Sequence, residues 1–79
     1  MTPIQLRMAR AGLGWGVREL AAEAGVTANT VTRIEKGGDA KQSTLQAIQR
    51  ALEAAGVQFV SDESGRGLGV QIKIQEGDK

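Results

Sequence analysis

The sequence contains no cysteine and no histidine among its 79 residues. Without cysteine the chain can form neither a disulfide nor a thiolate metal site, and it suits a reducing cytoplasm. Without histidine, most zinc sites and catalytic triads are excluded as well. No pairing of a nucleophile with a base stands out among the remaining residues. We therefore expect no enzyme, no cofactor and no metal.

Long apolar runs are also missing, because no stretch approaches the roughly 20 residues that cross a bilayer. Met1-Thr2-Pro3 does not begin the charged and then apolar pattern of a secretory signal. We therefore expect a cytoplasmic location without membrane association. A chain of this length forms one small core near the lower limit of stability, where a partner often helps.

Charge of either sign is sparse, since the formal net charge is only +1. Its distribution is uneven: residues 1–50 carry seven basic and four acidic side chains, whereas residues 51–79 carry three and five. A difference of this size arises often by chance in short segments. It acquires meaning only if the basic part also carries a binding motif.

Residues 17–37, VRELAAEAGVTANTVTRIEKG, contain two short amphipathic patterns separated by a glycine. Apolar side chains recur at helical spacing in both halves: Val17, Leu20, Ala21 and Ala24, then Val31 and Ile34. Between them, Gly25 can take the left-handed conformation that ends a helix, Val26 is an apolar plug, and Thr27 is a preferred N-cap. This pattern predicts a helix-turn-helix, whose second helix lies in the major groove of DNA.

The same stretch resembles the lambda repressor and Cro family of bacterial regulators, also called the XRE type. The likeness is carried by Ala21, Gly25, Thr27, Val31 and the run Arg33-Ile34-Glu35-Lys36-Gly37, which fall together in register. It covers roughly residues 4–56. The resemblance implies a compact, mainly helical domain of four to five helices that binds double-stranded operator DNA.

Helix boundaries outside the motif are predicted from capping residues. Thr2, Pro3 and Gln5 form a capping box with proline at the first helical position, so a first helix is expected from Pro3 to about residue 11 or 12. Glycines at positions 12, 14 and 16 are expected to break it. A second capping box, Ser43 to Gln46, predicts a fourth helix that stops at Gly56.

After Gly56 the apolar period changes to two, which predicts two strands joined by a polar, glycine-rich connection over residues 61–69. The chain is thus divided into a DNA-binding part, residues 1–56, and a C-terminal β-hairpin, residues 57–79. An isolated hairpin is marginal in water, so its apolar face needs a cover. We expect that cover to be a second copy, in a homodimer, although packing on helix 4 of the same chain is the alternative. The residues of this face are Val57, Phe59, Val70, Ile72 and Ile74.

On the second helix of the motif, the outward positions predict the contacts with DNA. Asparagine can pair with adenine and arginine with guanine, whereas alanine can only touch a thymine methyl. With the resemblance, the expected base contacts are Ala28, Asn29, Thr32 and Arg33. The expected phosphate contacts are Val17, Thr27, Thr30, Lys36, Lys41 and Ser43. In relatives the position of Val17 carries a glutamine, so the side-chain contribution there is altered. The resemblance also implies an ion pair between Arg10 and Glu35.

These features together predict a small bacterial or phage-encoded transcriptional regulator, a repressor by preference, that binds specific duplex DNA. The alternative is a protein-interaction module, for instance an antitoxin that binds a toxin and represses its own operon. Binding to duplex DNA that weakens steeply with salt would separate the two, because phosphate neutralisation makes affinity depend on salt.

Overall fold

The computed structural model of the protein describes residues 1–73. Four helices come first and a two-stranded antiparallel sheet follows: α1 (Pro3–Leu13), α2 (Val17–Ala24), α3 (Ala28–Glu35), α4 (Gln42–Ala54), β1 (Val57–Ser61) and β2 (Gly67–Ile72). The expected mainly helical fold with a C-terminal hairpin is confirmed, with four helices. Ile74, expected on the hairpin, lies outside the described residues. Within residues 1–73, no helix is long and apolar enough to cross a membrane.

The first helix begins as its capping residues predict. Thr2 is the N-cap, and its Oγ1 accepts the N–H of Gln5 at 3.1 Å while Gln5 Oε1 accepts the N–H of Thr2 at 2.9 Å. The helix ends later than expected, at Leu13, with Gly14 in the left-handed conformation. Gly12 is therefore a helical residue and does not break α1. A Cβ atom at Gly12 would overlap the end of the Ile72 side chain, so this glycine is where the hairpin approaches α1.

The start of α4 differs from the prediction. The N-cap is Lys41, whose side chain makes no capping hydrogen bond, and Ser43 lies inside the first turn. The N–H of Leu45 donates to the carbonyl of Lys41 at 3.0 Å. Ala40 and Leu45 both pack against the core, and this packing outweighs the cap preference of Ser43, which is worth about 1 kcal/mol.

One apolar core connects all six elements. Its buried side chains are Leu6 and Ala9 of α1, Leu20 and Ala21 of α2, Val31 and Ile34 of α3, Ile48 and Leu52 of α4, and Val57 of β1. Helix α2 packs on α3 and α4, while α1 packs on α3 and β2. Trp15 is partly buried against this core, which agrees with a packing role for the one tryptophan.

The hairpin pairs Val57 with Ile72 and Phe59 with Val70. The turn between the strands is shorter than the expected connection, because it spans residues 62–66 and β2 already begins at Gly67. Val60 pairs with Gly69 and Ser61 with Gly67, so Leu68 is an extra residue in β2. Such a bulge bends the strand.

A buried glutamine fastens the hairpin to α1. Gln5 is 2% exposed, and its Nε2 donates to the carbonyl oxygens of Val60 at 3.0 Å and Gly69 at 2.8 Å. Because its Oε1 also accepts the N–H of Thr2, the amide is hydrogen-bonded through both of its N–H groups and its oxygen. Gly67 allows this approach, since a Cβ there would overlap the Gln5 amide.

Candidate nucleic-acid interface

The turn between α2 and α3 is built as its sequence predicts. Gly25 has φ +73°, and the N–H of Val26 donates to the carbonyl of Ala21 at 3.0 Å, which closes the end of α2. Thr27 then caps α3, because its Oγ1 accepts the N–H of Thr30 at 3.2 Å. Val26 packs against the core between the helices. The two helices are therefore joined rigidly by two residues beyond the αL glycine.

The outer face of α3 is polar and lies open to solvent. Asn29 and Arg33 are exposed and Thr32 is half-buried. Together with Lys36, Gly37 and Gly38, these residues line one open depression. Ala28, also expected to contact bases, is half-buried and packs against the core. Of the four expected base contacts, the structure thus gathers Asn29, Thr32 and Arg33 on one surface, and Ala28 is not among the residues that line it.

The one carboxylate of α3 is turned away from this face. Glu35 is 9% exposed and accepts two hydrogen bonds from Arg10. Arg10 Nε donates to Glu35 Oε2 at 2.6 Å, and Arg10 Nη2 donates to Glu35 Oε1 at 3.0 Å. This hydrogen bond with Glu35 is the main cause that raises the pKa of Arg10 above its ordinary value. Arg10 also donates from Nη1 to the carbonyl of Trp15 at 3.2 Å. The charges left on the outer side of α3 are those of Arg33 and Lys36, both positive.

At the start of α3, Thr27 and Thr30 share a hydrogen bond of 2.8 Å between their hydroxyl oxygens. One hydroxyl proton serves this bond, whichever residue provides it. The other proton remains free to donate, and Thr27 is exposed. The pair therefore keeps one hydroxyl donor for an acceptor outside the chain, beyond its capping role.

The start of α2 is less open than the sequence suggests. The side chain of Val17 packs partly against the core, so its contact with a phosphate would have to come from the backbone. The N–H of the preceding Gly16 already donates to Glu19 Oε1 at 2.7 Å. The position of Glu19, three residues after the cap, is a known signal for this bond. Its carboxylate thus accepts one of the backbone N–H groups that a phosphate could otherwise use at the start of α2.

Beyond α3, the expected phosphate contacts Lys36, Lys41 and Ser43 are all exposed. Lys36 is the C-cap of α3 and Lys41 the N-cap of α4. Since Ser43 is the second residue of α4, its backbone N–H has no carbonyl partner inside the helix. Gly38, which the sequence did not single out, lines the same depression as Arg33.

The four described residues among those expected at a dimer interface lie against their own chain. Val57 is 4% exposed, and Phe59, Val70 and Ile72 are partly buried against the core. Their cover comes from α1 and α4, on which the two strands pack. The described part of the hairpin's apolar face is therefore packed against its own chain, which is the arrangement that the sequence left as the alternative to a dimer.

Comparison with known proteins agrees with this geometry. Residues 6–55 match the family described as helix-turn-helix, and these residues contain α2, the turn and α3. No curated protein matches the chain significantly. The matched range exceeds half of the chain and includes the exposed polar face of α3. The chain belongs to the XRE-type, lambda repressor-like helix-turn-helix family, a family of DNA-binding regulators.

Proposed function

We propose that the protein is a transcriptional repressor that recognises a specific duplex operator through the exposed face of α3. The observation that carries the proposal is the grouping of Asn29, Thr32 and Arg33 on one open surface. An asparagine and an arginine one helical turn apart present two of the side chains that read purines in the major groove. Because Glu35 points away from this face and pairs with Arg10, its negative charge does not oppose the approach of DNA to the exposed face of α3.

Phosphate contacts surround this surface in the proposal. The free hydroxyl donor of the Thr27 and Thr30 pair lies at the start of α3, and Lys36 lies at its end. Lys41 and the N–H groups at the start of α4 follow after a short loop. Donors of this kind orient a protein on the duplex without reading its sequence. At the start of α2, Val17 offers only its backbone.

The test compares Arg33→Ala with Lys41→Ala on duplex DNA selected by the unaltered protein and on random duplex. If Arg33 reads a guanine, its loss costs about 1–3 kcal/mol on the selected site and relaxes the preference there. Lys41→Ala weakens binding to both duplexes alike and reduces the slope of log affinity against log salt by about one. Fluorescence anisotropy over a series of salt concentrations measures both quantities.

Equal losses on selected and random duplex in Arg33→Ala would assign that residue to phosphate. If neither the variants nor the unaltered chain show salt-dependent binding to duplex DNA, the proposal that the protein binds an operator is wrong. A protein partner such as a toxin would then be the better assignment. The exposed apolar residues Ile4 and Leu68, each 60% exposed, are the surface such a partner would use.

We further propose that two copies associate through the outer edge of β2, the second strand of the hairpin. In the described part of the chain, no third strand pairs with β1 or β2. A free strand edge presents unpaired N–H and C=O groups to a second strand. Twofold helix-turn-helix dimers bind palindromic operators with their recognition helices about one DNA turn, ~34 Å, apart, and a dimer of this chain would have to meet that spacing.

A further inference from the structure

The loop after α3 contains two adjacent glycines with different surroundings. Gly37 has φ +91°, and a Cβ atom there would meet nothing within 4 Å. Gly38 has no left-handed φ, so its backbone conformation does not require glycine. A Cβ at Gly38, however, would lie 2.6 Å from Arg33 Cγ and 3.4 Å from Arg33 Cδ. What Gly38 provides is therefore space for the Arg33 side-chain stem and for the Arg33 carbonyl oxygen, which is 2.9 Å from the same Cβ position.

The same two residues are joined through the backbone. The N–H of Gly38 donates to the carbonyl of Arg33 at 2.8 Å, and the N–H of Gly37 donates to that of Ile34 at 2.9 Å. This is the Schellman arrangement, in which the residue at the position of Gly38 commonly covers the one at the position of Arg33 with an apolar side chain. Here that side chain is absent, and the methylenes of Arg33 occupy its place.

We propose that Gly38 is a positioning residue for DNA recognition: the space left by its missing side chain holds the methylene stem of Arg33 and thereby directs the guanidinium group. The inference rests on the proposed function, in which Arg33 contacts a base. An arginine whose stem is already seated loses less conformational freedom on binding than one that moves freely. Seating also limits the bases that the guanidinium group can reach, which favours specificity.

The test is a double-mutant cycle of Gly38→Ala and Arg33→Ala. The readout is the ratio of affinity for the selected duplex to affinity for random duplex. In the unaltered background we expect Gly38→Ala to lower this ratio at least fivefold, about the low end of one base contact. In the Arg33→Ala background the stem is gone, so the same substitution should change the ratio by less than about twofold. The added Cβ would also lie 2.9 Å from the carbonyl oxygen of residue 33 in the unaltered chain. Because Arg33→Ala keeps that backbone oxygen, this contact should cancel in the cycle.

Gly37→Ala is the matched control, because it adds the same methyl group one residue earlier without touching Arg33. Its positive φ makes it strained, so we expect lower thermal stability, with a loss in the ratio of specific to random affinity that is clearly smaller than that of Gly38→Ala because the added methyl does not meet Arg33. If Gly37→Ala and Gly38→Ala lowered the ratio of selected to random affinity equally, the effect would come from general strain in the loop, and the proposal would be overturned. Equal losses from Gly38→Ala in both backgrounds of the cycle would overturn it too.

Two further outcomes separate this inference from the proposed function. If Arg33→Ala leaves the affinity ratio unchanged, the proposal that Arg33 contacts a base is wrong, and so is the proposal that Gly38 positions it. If Arg33→Ala lowers the ratio while Gly38→Ala does not, only the positioning role is wrong. In the unaltered chain, a nuclear Overhauser effect between the Gly38 α protons and the Arg33 γ protons is expected. Its absence would overturn the proposal even if a variant failed to fold.

Discussion

Arg10 and Glu35 connect the first helix to the recognition helix α3. Arg10 is 22% exposed and Glu35 9% exposed, and two hydrogen bonds join them. A pair of this burial adds little net stability when complete, but removing one partner leaves the other charge desolvated and unpaired. The pair therefore acts mainly to fix where α3 lies, and so where Asn29 and Arg33 point.

We predict that Arg10→Ala lowers the free energy of unfolding by about 3 kcal/mol, because Glu35 then loses its partner in a poorly solvated position. Urea unfolding followed by circular dichroism measures the change. Arg7→Ala is the matched control, since Arg7 is an exposed arginine on the same helix, and its effect should stay within about 0.5 kcal/mol. Equal stability of the two variants would show that the ion pair is not needed to hold α3.

The hairpin is held at both of its ends. Near its turn, Gln5 binds the carbonyls of Val60 and Gly69, and at its base the N–H of Lys73 donates to the carbonyl of Gly56 at 2.9 Å. The turn itself is organised by Asp62. Its Oδ1 accepts the hydroxyl of Ser64 at 2.8 Å and the N–H groups of Ser64 at 3.0 Å and Arg66 at 2.8 Å.

These hydrogen bonds, with that of the Ser64 hydroxyl first, lower the pKa of Asp62 below its ordinary value. The ionised form therefore stabilises the folded turn at neutral pH, and this contribution is lost as the pH falls through the lowered pKa. We predict that Ser64→Ala raises the pKa of Asp62 toward its ordinary value, because it removes the main donor. Carboxyl chemical shifts followed by NMR during a pH titration measure it, with Ser61→Ala as the control. An unchanged Asp62 titration in Ser64→Ala would contradict this account.

Local signals predicted the elements, and packing between distant residues decided the details. The caps at Thr2 and Thr27 and the turn at Gly25 depend on neighbours in sequence, so their patterns were sufficient. Gly12 was predicted to break α1 because glycine is a poor helix former. Its role, to leave room for Ile72, depends on a strand at the other end of the chain and could not be inferred from the neighbouring sequence. Ser43 was predicted to be the N-cap of α4 because serine is a preferred capping residue. The core contacts of Ala40 and Leu45, which favour an earlier start of the helix, cannot be inferred from the neighbouring sequence.

The candidate site was predictable to a similar extent. Helical spacing placed Asn29 and Arg33 on the outward face, since the buried positions of α3 follow from its period. The same reasoning could not show that Ala28 packs partly against the core, or that Gly38 lies against the Arg33 stem. Both depend on how α3 sits on its neighbours and on the path of the loop that follows it.

The molecule as a whole leaves apolar side chains exposed beside the hairpin. Ile4 of α1 and Leu68 of β2 are each 60% exposed, and Met8 is 37% exposed. The start of α1 and the start of β2 are close to each other, because Gly67 approaches Thr2 and Gln5. The inner face of the hairpin is already covered by its own chain. The outer edge of β2, with the exposed Leu68 on that strand, is therefore the surface that we assign to a second copy.

We predict that the unaltered protein is a dimer by light scattering and that Leu68→Glu shifts it to the mass of one chain. Leu68 is an exposed bulge residue, so a charge there leaves the monomer folded but opposes burial in an interface. Gln58→Glu is the control, because it adds the same charge at an exposed position of β1 and should remain dimeric. Since a monomer presents one recognition helix, Leu68→Glu should also lose much of its affinity for a palindromic site while keeping that for a half-site. A monomeric unaltered protein would overturn the dimer, and an equally dimeric Leu68→Glu would move the interface away from β2.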